Sequence, residues 1–156
     1  MRGDGGDVDQ VGRPAIAGFF GKPPSERNQA RQVFLDPTVP VHYPDWAAVA
    51  AETVAYLRLD AGRHPNDPAV SFLVGEFSAK SEDFRRLWAD HPVKEKTHGV
   101  KRLVHVAVGE LEFGYETLAL PGDPDQLLVA HTVPRGSATA DRLALLVRRM
   151  AGAGAG

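Results

Sequence analysis

Hydrophobic positions recur along this chain with two different periods. Trp46, Val49, Ala50, Thr53, Val54 and Leu57 return every three or four residues, the spacing of one helical face, and Pro44-Asp45 ahead of them suits a helix start. The predicted helix ends near Gly62. A second is predicted from an Asp67 cap and Pro68, with Val70, Leu73, Val74 and Phe77 inward. A third begins at Ser81 and buries Phe84, Leu87 and Trp88, with His91 at the end of the same stripe. A short helix is expected from a Ser25 cap to about Phe34, stopped by Asp36-Pro37, and a last one follows Ser137 with Leu143, Leu146, Val147 and Met150 inward.

Between His98 and Pro134 the period changes to two. Strands are predicted at about 100–108, 110–119 and 126–133. Val100, Val104, Val106 and Val108 share one face of the first, interrupted by Arg102, and Gly109-Glu110 turns the chain. Leu111, Phe113 and Tyr115 alternate with Glu110, Glu112 and Glu116 in the second, and Pro121-Gly122-Asp123-Pro124 is read as a turn. Helices, then an antiparallel three-stranded meander, then a helix make an α+β fold. Such a sheet, apolar on one side and acidic on the other, is covered on one side only. The stripes carrying Trp46, Phe77 and Trp88 are the expected cover.

Composition narrows the function. The 156 residues fit one domain, and a net charge of -2 from 18 basic and 20 acidic residues gives no bulk attraction to nucleic acid or an acidic membrane. Without cysteine there is no disulfide, thiol nucleophile or zinc-thiolate site. No apolar run is as long as a membrane span and no secretion signal is visible, so a cytoplasmic location is expected. Residues 1–14, rich in Gly and Asp, are expected to be disordered; 15–150, beginning with the apolar patch Ala15–Phe20, form the folded domain; 151–156 are a flexible tail.

No GxSxG, HExxH, GxxxxGK[ST] or GxGxxG pattern occurs, so no enzyme activity, cofactor or metal is expected. Glu110, Glu112 and Glu116 read as a solvated sheet face, His64 to Asp67 as a turn ending in a helix cap, and Asp123 with Asp125 as turn residues. The stretch from Trp88 to Arg102 carries His91, Lys94, Lys96, His98, Lys101 and Arg102. Its lysines read as a solvated connection. His91 on the apolar stripe and Arg102 on the valine face differ, because a buried cation needs a partner or an anion. Either both meet glutamates or backbone carbonyls, or both stand at the rim of a cavity that takes an amphipathic carboxylate.

The sequence resembles the ligand-binding domain of MmyB-like transcription regulators from about Ala15 to Met150. The residues that carry the resemblance begin with Arg27-Asn28, Phe34-Leu35-Asp36-Pro37, Tyr43-Pro44-Asp45-Trp46 and Ala61-Gly62-Arg63-His64-Pro65. They continue with Gly75-Glu76, Ser78, Ser81, Phe84-Arg85-Arg86-Leu87-Trp88-Ala89, His91, Lys101-Arg102 and His105. They close with Gly109-Glu110-Leu111, Tyr115-Glu116-Thr117-Leu118 and Leu120-Pro121-Gly122-Asp123-Pro124. The resemblance implies a PAS-like sensor domain with an apolar cavity between sheet and helices, attached to an Xre-type helix-turn-helix, and a fatty acid as one ligand of the family. Phe84, Leu87, Trp88, Phe113 and Tyr115 would line the cavity, with His91 or Arg102 near a carboxylate.

Two departures accompany it. The helix-turn-helix and the first two sheet strands of full-length members are expected to be missing, and His105-Val106 stands where the family tends to have His-Pro. The chain is therefore expected to bind no DNA by itself and to present an incomplete sheet with an open edge. Through that edge it would form a homodimer, or a heterodimer that modulates a full-length regulator.

Overall fold

The structure, a computed structural model, describes residues 28–90 and 97–153. Residues 1–14, the patch Ala15–Phe20, the Ser25 cap, His91, Lys94 and Lys96 lie outside the described residues. Six helices and one three-stranded antiparallel sheet make up the rest, an α+β architecture.

Helix α1, Gln29–Leu35, is capped by Asn28. Asn28 has extended backbone, which no helix passes through, and its Oδ1 accepts from the N–H groups of Ala30 (2.9 Å) and Arg31 (3.2 Å). A short α2, Val39–His42, follows with Pro40 in its first turn. Helix α3, Trp46–Arg63, runs one residue past Gly62. Helices α4, Pro68–Lys80, and α5, Glu82–Ala89, begin as expected, Asp67 accepting from Ala69 N–H (2.8 Å) and Ser81 Oγ from Phe84 N–H (3.2 Å).

These helices build their own core. Ala30, Val54, Phe77 and Phe84 are buried together, with Phe34, Leu57, Leu73, Val74, Leu87 and Trp88 half-buried around them. The rings form a connected group: Phe34 lies 5.1 Å from Phe84, Phe77 5.3 Å from Phe84, and Trp88 stacks on Phe84 at 5.4 Å. Val33, Val49 and Ala50 continue the core toward Tyr43 and Trp46. An Arg31–Glu76 ion pair, with Lys80 on the same carboxylate, ties α1 to α4.

The sheet runs β1, His98–His105, β2, Gly109–Leu120, and β3, Asp123–Thr132, in that spatial order. Leu103 pairs with Leu111, Lys101 with Phe113 and Gly99 with Tyr115. Residues directly opposite share a face. The inner face of β1 is therefore Gly99, Lys101, Leu103 and His105, and the expectation of a buried valine face is corrected. Val100 stands outward, 64% exposed, beside Arg102 and the exposed Glu110 and Glu112.

Strand β1 also stops earlier than predicted, because the His105 side chain takes the N–H of Ala107 (3.0 Å) and closes a turn over Val106 to Val108. Gly109, at φ 82°, leads that turn into β2. Gly114 faces Thr132 across the ladder, where a Cβ would meet Thr132 Oγ1 at 2.6 Å. At the other hairpin only Pro121 and Gly122 turn, so Pro124 lies in β3 and not in the turn. It is accommodated because the ladder passes from Leu120↔Asp123 to Ala119↔Leu127, leaving Pro124 to Gln126 without β2 partners.

Helix α6, Ala138–Ala153, starts after Ser137, whose Oγ accepts from Ala140 N–H (3.2 Å), and runs into the first three residues of the expected tail, of which 154–156 lie outside the described residues. Leu146 is buried, but Val147 is exposed, because α6 meets β2 partly through polar groups. Strand β3 ends opposite Gly114, which leaves the start of β2 unpaired on that side. Thr139 Oγ1 accepts from Glu112 N–H (2.9 Å) and Arg142 donates to Glu110 O, filling the missing ladder positions.

Trp46, Phe77 and Trp88 point into the helical core, so they are not the sheet's cover as expected. Helix α3 reaches the sheet instead with its other side, through Glu52 to Lys101 and Tyr56 to Thr117. Among the described residues no helix is long and apolar enough to cross a membrane.

Candidate ligand-binding site

The sequence-predicted site residues fall on two sides of α3. Val54 and Leu57 turn toward Phe77 and Phe84, while Glu52 and Tyr56, on the opposite side of the helix, meet the sheet. Phe84, Leu87 and Trp88 therefore share one environment, and Phe113 and Tyr115 share another. Phe84 is 0% exposed and packs within the core, whereas Leu87 and Trp88 remain half-buried. His91 lies outside the described residues.

On the sheet side the surroundings are aromatic and charged at once. Lys101 Nζ lies 3.4 Å from Glu52 Oε2 and 5.4 Å from the centre of the Tyr115 ring. Burial and then the Glu52 carboxylate push the Tyr115 hydroxyl above its ordinary pKa. Tyr56 and Thr117 share a hydrogen bond of 3.3 Å, and the Phe113 ring meets His131 edge-on at 5.9 Å. Burial, with Lys101 nearby, lowers the pKa of His131.

Arg102 stands apart from both groups. It donates through Nε (2.8 Å) and Nη2 (2.7 Å) to the two carboxylate oxygens of Asp45, and Glu110 lies at 3.8 Å. The bond to Arg102 lowers the Asp45 pKa, and that carboxylate makes no capping bond to α3. Arg102 is thus held by an aspartate, where the sequence suggested glutamates or backbone carbonyls as its protein partners. Its side chain is 38% exposed, on the outer face of the sheet.

Two residues that the sequence did not place in the site stand out. Arg58 occupies the position four residues beyond Val54, where an apolar stripe would continue. Its Cζ lies 4.4 Å over the Trp88 ring, and its Nε is buried without a hydrogen-bond partner among the described residues. The signal was a cation inside a helical stripe, the criterion applied to His91. His105 is the second, 1% exposed. Because its Nδ1 accepts from Ala107 N–H, the proton sits on Nε2, which has no hydrogen-bond partner among the described residues. Burial first, and His42 second, lower its pKa. His42 itself donates from Nδ1 to Val104 O (3.1 Å).

The remaining candidates are structural. Asp67 caps α4, Asp123 accepts from Asp125 N–H (3.2 Å) in its turn, and His64 meets Asp125 at 3.0 Å. No group of three or more His, Asp or Glu that could hold a metal occurs among the described residues.

A family model described as the MmyB-like transcription regulator ligand binding domain matches residues 9–146. A search of curated proteins finds no match.

Proposed function

The chain belongs to the MmyB-like transcription regulator ligand binding domain family, a regulatory binding domain and not an enzyme family, and we propose that it senses a small apolar or amphipathic molecule, fatty acids being the leading class. The observation that carries the reading is Trp88, a large ring at the margin of an aromatic core that stays half-buried. Leu87 and Trp88 form an apolar wall, with Phe84 holding Trp88 from beneath. Phe113 and Tyr115, across α3, stand away from that wall. Their neighbours Glu52 and Lys101 already pair with each other.

Thermal shift with a series of fatty acids tests the proposal. The wild type is expected to be stabilised in the micromolar to millimolar range, and Trp88→Ala to lose that ligand-dependent shift. An unchanged shift in Trp88→Ala would remove Trp88 from the site.

A second reading, pairing with a full-length helix-turn-helix regulator, has its own observation. Among the described residues strand β3 is outermost in the sheet, and Leu127, Leu128 and Val129 along it are 40%, 53% and 44% exposed. Size-exclusion chromatography with a co-expressed full-length relative decides it, since this reading requires a stable complex.

A further inference from the structure

Two surfaces of opposite charge stand open on this chain. The first is the outer face of the sheet. Ladder pairing puts Glu116 there, one row from Val100 on one side and from the Leu118–Leu128 pair on the other. Val100, Leu118 and Leu128 are 64%, 47% and 53% exposed, an apolar patch that nothing in the chain covers among the described residues. The charge around it is acidic: Arg102 stands against the carboxylates of Asp45, Glu110, Glu112 and Glu116. Asp45 already takes two Arg102 donors, and Glu116 has no ion-pair partner among the described residues. Two such faces laid on each other would set carboxylate against carboxylate, so a partner must be apolar and basic.

The second surface has that character. Residues 135–153 hold Arg135, Arg142, Arg148 and Arg149 against Asp141 alone. None of the four arginines meets a carboxylate among the described residues; Arg142, Arg148 and Arg149 donate to the carbonyls of Glu110, Ala144 and Ala107. On α6, Leu145 lies one turn before Arg148 and Val147 lies beside it, 40% and 54% exposed. Within one chain these two surfaces stay apart. Thr139, Arg142 and Arg149 fix α6 to the start of β2 and the turn before it, and both surfaces remain exposed.

We propose that two copies of this chain associate by laying α6 of each across the outer sheet face of the other. Arg148 meets Glu116 of the second copy, while Leu145 and Val147 cover Leu118 and Leu128. Each copy owns both surfaces, so a two-fold axis makes the contact twice and closes the dimer. The contact uses the face of the sheet and leaves the β3 edge open.

Sedimentation velocity of the full chain across a concentration series tests this. The wild type is expected to pass from monomer to dimer, with weaker association in high salt. Glu116→Arg and Arg148→Glu are each expected to weaken the dimer by roughly tenfold or more, because each sets like charges together in both contacts. An equimolar mixture of the two variants is expected to recover the association, since each reversed charge then meets the other. Both side chains are exposed, so the variants are expected to melt with the wild type. The salt dependence of the wild type stands even where a variant does not fold. A wild type that stays monomeric, or that grows past a dimer, would overturn the proposal. So would a dimer undisturbed by either reversal, or a mixture no more associated than its components.

Discussion

Replacing Phe84 with alanine removes a ring that is 0% exposed and touches three other aromatic residues, Phe34 at 5.1 Å, Phe77 at 5.3 Å and Trp88 at 5.4 Å. Three rings converge on the space it leaves, and they come from α1, α4 and α5 itself, so no single side-chain rotation refills it. The loss combines transfer of the ring to water with the cavity left behind, about 3–5 kcal/mol. For a domain of this length each kcal/mol moves the melting temperature by about 2–4 °C, so a fall of roughly 6–20 °C is expected. Urea unfolding followed by tryptophan fluorescence measures it, and an unchanged slope against urea shows that the change lies in stability and not in the denatured state. Phe84→Leu, which keeps most of the volume, is expected to lose less than half as much. A loss below about 1 kcal/mol in Phe84→Ala, within the range of ordinary surface substitutions, would refute the placement of this ring in the core.

Thr139→Val keeps the shape of a buried side chain but strands the N–H of Glu112, so about 1–3 kcal/mol of stability should disappear while Thr139→Ser is tolerated, by the same urea assay. The pKa of His105 is lowered by folding, so below about pH 6.5 the unfolded chain takes up the proton first, and stability should decline as the pH falls through that value toward the lower folded pKa. His105→Gln should flatten that part of the pH profile. A profile of unchanged steepness would refute a neutral buried His105. Arg102→Gln should leave the affinity for laurate unchanged, because Asp45 already holds the guanidinium on the outer face. A lost affinity would return Arg102 to the site.

The elements legible in the sequence were those fixed by local chemistry. Asp67-Pro68 and Ser81 set helix starts directly, and the stripe of Val70, Leu73, Val74 and Phe77 needed nothing beyond helical spacing. Strand β2 was legible because Leu111, Phe113 and Tyr115 alternate with glutamates that cannot be buried cheaply. Strand β1 was not, since Val100 and Val104 on one side and Leu103 on the other are equally apolar, and only pairing with β2 decides between them. Non-local partners account for most of the remaining misses. Asp45 lies 57 residues from Arg102, and Thr139 lies 27 from Glu112, distances at which no periodicity connects two side chains. The Trp88 wall was named from its stripe, while the cation above it sits on another helix, 30 positions earlier by the numbering of Arg58 and Trp88.

Native mass spectrometry of the protein purified from cells, before any delipidation, tests ligand sensing most directly. A sensor of amphipathic acids should carry a population heavier than the polypeptide by the mass of a small organic acid. That adduct should disappear on mild activation and be absent from Trp88→Ala. A spectrum holding only the bare chain, in a preparation that added laurate neither shifts in mass nor stabilises against heat, would contradict it.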